Sequence, residues 1–178
     1  MKTQILFIAF FALTSAAFAQ SQNHSQPSSR AVERIQKEVR HGLIMLPYLG
    51  VFDNLSYKLD GYDVTLAGQV TRSVLKSEAN HLVKRIEGVE HVDNQIEVLP
   101  VSQFDDRLRI RLFRAIYGYA PLQRYALGVN KPIRIIVKNG HVKLEGVVDN
   151  QSEKNIAGIR ANGVAEVFSV TNNLQIAR

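Results

Sequence analysis

An internal repeat constrains this chain more than any other feature. Val142-Lys143-Leu144-Glu145-Gly146-Val147-Val148 repeats the alternation of Val64-Thr65-Leu66-Ala67-Gly68-Gln69-Val70 at an offset of 78 residues. With no gap the same offset pairs Ala79 with Ala157, Ile86 with Val164, Val89 with Val167, Val92 with Val170, Asn94 with Asn172, Ile96 with Leu174 and Val98 with Ile176. A fixed period of this length means that one small supersecondary unit is written twice. In 178 residues that leaves two small domains, each near the lower limit for independent stability.

Each copy reads as helix, strand, strand, helix, strand. Ser28 or Ser29 caps a helix in which Val32, Ile35, Val39 and Leu43 recur at near-helical spacing, and which stops before Pro47. Leu55, Tyr57 and Leu59 alternate with polar residues up to Asp60-Gly61, and Val64, Leu66, Gly68 and Val70 alternate after it, as in a hairpin with one apolar face. Ser73 to Arg85 forms the second helix, closed by Gly88, and Val89 to Val98 the third strand. The second copy repeats the scheme with helices over Asp105 to Tyr119 and Ser152 to Ala161, strands Ile133 to Val137 and Val142 to Val148 around Asn139-Gly140, and a last strand from Val167 to Ile176. Its loop Pro121 to Lys131 is more apolar than a solvated loop requires. The expected fold class is therefore α+β: two tandem αββαβ domains, each a three-stranded mixed sheet with two helices on one face. Gly68 and Gly146, at inward strand positions, are expected to be structural, admitting a closely packed helix.

The first 19 residues read as a signal peptide: Lys2, a mostly apolar run from Ile5 to Leu13, and Ala17-Phe18-Ala19 as a cleavage site after Ala19. The apolar run is shorter than the roughly 20 residues of a spanning helix. The expected division is a signal peptide over 1–19, a flexible leader over 20–28, a first domain over 29–99, a linker over 100–103 and a second domain over 104–178. Export from a bacterium places the product in the periplasm. The absence of cysteine excludes disulfides, thiolate ligands, a cysteine nucleophile and a lipid attached through sulfur.

The matching residues, Val64 to Val70 with Gly88-Val89-Glu90-His91-Val92-Asp93-Asn94 and Val142 to Val148 with Val167 to Leu174, resemble the BON domain family. These are small secreted bacterial modules, often in tandem, in osmotically inducible periplasmic proteins and in a dual-domain outer-membrane lipoprotein. The resemblance implies a binding module that contacts phospholipid surfaces and supports the cell envelope under stress, and not an enzyme. Two departures stand out: no lipoprotein cysteine, and no tryptophan as an interfacial anchor.

Charge separates the copies. From Pro27 to Leu99 nine Lys/Arg face ten Asp/Glu, whereas from Phe104 to Arg178 twelve face six. The basic half points to an anionic partner. On the Asp105 helix, at 100° per residue, Arg107, Arg111 and Arg114 lie within about 60° of one another. Leu108, Leu112, Ala115 and Ile116 face the sheet, and Ile110, Phe113 and Tyr117 widen the apolar arc to about 220°, more than one sheet contact needs. Arginines beside such a flank suit anionic head groups, so Arg107, Arg111, Arg114, Ile110, Phe113 and Tyr117 are the candidate lipid-binding residues. The alternative is that Phe113 and Tyr117 pack against the first domain or the Pro121 to Lys131 loop.

Nothing indicates catalysis or a cofactor. Asp105-Asp106 reads as a helix-start cap and dipole partner. The five histidines have no H-x-x-x-H pair or acidic cluster beside them, so no metal is expected. Export and the lack of an aromatic platform argue against nucleic acid. The partners are therefore an anionic phospholipid surface or, alternatively, envelope proteins that a periplasmic chaperone or protein-interaction module would hold.

Overall fold

The computed structural model describes residues 28–128 and 130–177. The expected signal peptide over 1–19 and the leader as far as residue 27 lie outside the described residues. The elements are α1 (Ser29–Ile44), β1 (Asn54–Asp60), β2 (Asp63–Val70), α2 (Ser73–Lys84), β3 (His91–Asn94) and β4 (Glu97–Val98). They are followed by α3 (Gln103–Tyr117), a 3-10 helix (Ala120–Ala126), β5 (Ile133–Lys138), β6 (His141–Val148), α4 (Gln151–Asn162), β7 (Ser169–Asn172) and β8 (Gln175–Ile176). This is the α+β tandem that the repeat predicts.

In each copy the sheet is mixed: β1 and β2 are antiparallel, and β3 runs parallel to β2 through the crossover helix α2. The second copy pairs β5 with β6 and β6 with β7 in the same senses. The expected third strand is in two pieces, with β4 also parallel to β2 and β8 parallel to β6. The repeated asparagines explain the break. The side chain of Asn94 accepts from the Ile96 amide at 3.2 Å and donates to the carbonyl of Lys76 on α2 at 2.9 Å. Asn172 does the same to Leu174 at 3.3 Å and Lys154 at 2.7 Å. A side chain that bonds the backbone two residues on replaces a ladder bond by a turn.

Helix positions follow from capping and spacing. Ser28 accepts from the Ala31 amide at 3.3 Å to start α1, and Ile35, Val39 and Leu43 fall on one buried stripe. Val64, Leu66 and Val70 of β2 meet that stripe and Leu75, Ala79 and Val83 of α2 in one core. The second copy builds its core from Leu108, Leu112 and Ile116 of α3 with Val142, Leu144 and Val148 of β6.

Gly68 and Gly146 are structural, for a reason other than helix approach. Their φ values are +121° and +115°, and a Cβ would lie 2.0 Å from the carbonyl oxygen of Asn54 and 1.9 Å from that of Pro132. The neighbouring strand, not a helix, excludes a side chain there. Fully buried Leu122 and nearly buried Tyr125 account for the apolar loop, since the 3-10 helix packs into the second core.

The copies touch. Asp53, 2% exposed, accepts from the Gly50 amide at 2.8 Å and the Thr71 amide at 2.6 Å, fixing the segment before β1. From that segment the Val51 carbonyl accepts the Ile135 amide at 2.9 Å and the Gly50 carbonyl accepts Arg134 Nη1 at 2.8 Å. Lys138 Nζ meets Glu97 at 2.5 Å, and both residues line a groove of about 250 Å³.

Candidate functional site

Helix α3 begins at Ser102, whose hydroxyl accepts from the Asp105 amide at 3.2 Å. Asp105 is fully buried, and its carboxylate accepts the amides of Asn139 at 2.8 Å and Gly140 at 2.9 Å. It therefore pins the helix start to the β5–β6 turn as well as facing the positive end of the helix dipole. Arg109, 4% exposed, is held from within: Nη2 donates to the Val137 carbonyl at 2.7 Å and Nη1 meets Asp106 at 2.5 Å. These two residues fix the rotation of α3 on its sheet and hence which side faces outward.

That rotation turns Arg107, Ile110 and Arg114 to the surface, with Ile110 48% exposed. Among the described residues Arg107 and Arg114 make no ion pair, whereas Arg111, at the margin of the stripe, bonds Glu166. From α4, Arg160 extends the basic face, its Nε donating to the Ala115 carbonyl at 3.0 Å and its guanidinium 4.9 Å from the Tyr119 ring centroid.

The aromatic part of the expected flank lies elsewhere. Tyr117 is 3% exposed, and its hydroxyl donates to the Ile133 carbonyl at 2.6 Å while accepting the Ile133 amide at 3.1 Å. Burial drives its phenol well above the ordinary tyrosine range, outweighing the Ile133 bond and nearby Arg134. Phe113 is half-buried, its ring 4.9 Å from Tyr117 and 6.4 Å, edge-on, from Phe52 of the first copy. So Tyr117 is not available at the surface and Phe113 faces the neighbouring copy. The apolar arc is wide because the sheet, through Ile133 of β5, covers Tyr117 and Phe52 of the first copy packs on Phe113, while Ile110 stays exposed.

Sequence spacing overlooked two groups. Phe104, on α3 one turn before Arg107 and Leu108, stacks on Phe168 at 6.0 Å. Asp63, Glu90 and His91, all exposed, bring one potential ligand atom each to within 4.8 Å of one another. Glu90 adjoins His91 in the sequence, but Asp63 reaches it only because β2 and β3 pair Asp63 with His91 across the crossover.

At the N-terminus of α4, Glu153 latches the 3-10 helix to the core. It accepts from the Tyr125 hydroxyl at 2.6 Å and from Arg124, which also meets Asp149 at 2.8 Å. Burial opposes its ionisation, but the Tyr125 hydroxyl, Arg124 and the Asp149 amide together hold the carboxyl below its ordinary value.

The family model described as "BON domain" matches residues 31–100 and 125–178, so α3 lies between the two matched segments. Among curated proteins nothing matches. Two solved structures of CdsD, a structural protein of the type III secretion system of Chlamydia trachomatis, are similar over most of the chain. Its C-terminal domain shares 14% identity at a TM-score of 0.30, covering 80% of this chain and 96% of that one. The second shares 14% identity at a TM-score of 0.29, covering 81% and 93%. Among the described residues no helix is long and apolar enough to cross a membrane.

Proposed function

The chain belongs to the BON domain family, and from that premise we propose that it is an exported, periplasmic binding module whose second copy adsorbs to anionic phospholipid surfaces and supports the envelope under stress. The family is one of non-catalytic binding domains. The observation that carries the reading is the outward face of α3, where Arg107 and Arg114, without an ion pair among the described residues, stand on either side of half-exposed Ile110. Arg111 borders them.

Each basic side chain at an anionic membrane contributes about 1 kcal/mol, and arginine adds a bidentate fit to phosphate. Arg107 and Arg114, with Arg111 at their margin already paired to Glu166, therefore support reversible adsorption driven by charge. With Tyr117 buried and Phe113 turned to Phe52, α3 itself offers little apolar surface beyond Ile110, so salt should weaken the attachment strongly.

The test is flotation with neutral and anionic vesicles at two salt concentrations. The reading predicts binding to anionic vesicles only, released by salt and lost in the Arg107/Arg111/Arg114→Glu variant. Equal flotation of wild type and variant contradicts it. Suppression of an unfolded client's aggregation without vesicle binding favours a chaperone or protein-interaction module instead.

A further inference from the structure

The corner where each crossover helix hands over to its third strand is built twice on one backbone and carries opposite chemistry. In the first copy the Glu90 amide donates to the Tyr62 carbonyl at 3.0 Å, and in the second the Phe168 amide donates to the Gly140 carbonyl at 3.0 Å. The next residues pair in the same register, Asp63 with His91 and His141 with Ser169. The first corner is acidic, with Asp63 and Glu90 beside His91. The second replaces Glu90 by Phe168, and Phe168 is 68% exposed.

The backbone does not require an aromatic ring at this position, since glutamate occupies its counterpart. Nor is the ring buried in the core. It lies over Gly140, whose added Cβ would come within 2.6 Å of it, stacks on Phe104 at 6.0 Å and meets His141 edge-on at 5.9 Å. This contact fixes its position while leaving most of its surface in water. Such an arrangement keeps the entropic cost of binding low and retains most of the gain from leaving water.

Charge identifies the occupant. Phe104 precedes Arg107 by one turn of α3, and Arg111 bonds Glu166 two residues before Phe168, so the ring stands beside the arginine stripe. An exposed ring next to a helix that carries an arginine stripe matches an interface in which acyl chains lie just below anionic head groups.

We infer that Phe168, supported by Phe104, is the apolar anchor that enters an anionic bilayer while Arg107, Arg111 and Arg114 hold the head groups. This rests on the phospholipid reading above and supplies the interfacial ring that buried Tyr117 does not.

The chain contains no tryptophan, so Phe168→Trp creates a single indole at the anchor. The full chain carrying it is mixed with vesicles of equal parts phosphatidylcholine and phosphatidylglycerol. The expected result is a blue-shifted emission quenched by brominated acyl chains. In parallel, Phe168→Glu, the residue of the first copy, should keep the wild-type unfolding midpoint and lose about tenfold in vesicle affinity, equivalent to about 1.4 kcal/mol. Flotation with an unshifted, unquenched indole overturns the anchor and leaves charge-driven adsorption standing. A wild type that binds no anionic vesicle overturns both. Unfolding of Phe168→Glu assigns the ring to packing and also overturns the anchor.

Discussion

The amide of Ile135 donates to the carbonyl of Val51 at 2.9 Å, so the edge strand β5 of the second sheet is closed by a segment of the first copy. An open strand edge is a liability for aggregation, and here a tandem neighbour covers it. Arg134 on Gly50 and Phe52 on Phe113 extend the same contact.

Phe52→Ala should therefore destabilise the second copy although the residue belongs to the first. Loss of a half-buried ring costs about 2 kcal/mol, which lowers the melting temperature by about 4–8 °C in a chain of this size. Calorimetry checks this. An unchanged midpoint would mean that the two copies are energetically independent.

Gly146→Ala places a Cβ 1.9 Å from the Pro132 carbonyl oxygen at a φ of +115°. The expected loss is about 3 kcal/mol or more in urea unfolding. Gly163→Ala is the control: its φ is −75° and its nearest contact is 3.5 Å, so it should change stability by less than about 0.5 kcal/mol.

Asp105→Ala leaves the amides of Asn139 and Gly140 without their acceptor in a buried site. Each hydrogen bond to a charged group contributes about 1.5–3 kcal/mol, so the variant should lose on the order of 3 kcal/mol. Hydrogen exchange at those two amides should speed up before exchange in the first copy does.

Glu153 carries a pH dependence. Its folded carboxyl titrates below the ordinary value of 4.5 because Tyr125, Arg124 and the Asp149 amide favour the ionised form over the opposing effect of burial. The stability it contributes is then complete above the unfolded value and disappears as pH falls through the folded one. Tyr125→Phe should flatten the acid side of the stability profile below about pH 4.5 and leave the neutral side parallel to wild type, as measured by urea midpoints across pH.

The repeat makes the fold legible from sequence because the offset aligns strands, helices and the Asn94/Asn172 pair without a gap. The local interactions that each copy makes within itself are written twice and can be read twice. What crosses between distant segments is written once. The width of the apolar arc on α3 is visible in the spacing of Ile110, Phe113 and Tyr117, but its cover is not, because Phe52 comes from the other copy and the Tyr117 partner is the backbone of Ile133. Gly68 and Gly146 are recognisable as special, yet their cause, a strand carbonyl and not a helix, depends on three-dimensional approach. Phe168 did have a signal: the same offset sets it opposite Glu90, an apolar ring where the duplicate has an acid.

The central claim is that the α3 face of the second copy, and not the overall positive charge, holds anionic lipid. Two charge-reversed chains with the same net charge separate these possibilities: Arg107/Arg114→Glu on α3 and Arg30/Arg40→Glu on the exposed side of α1. Flotation with anionic vesicles at low salt should be lost in the α3 pair and retained in the α1 pair. Equal loss in both chains, or retention in both, would contradict the claim.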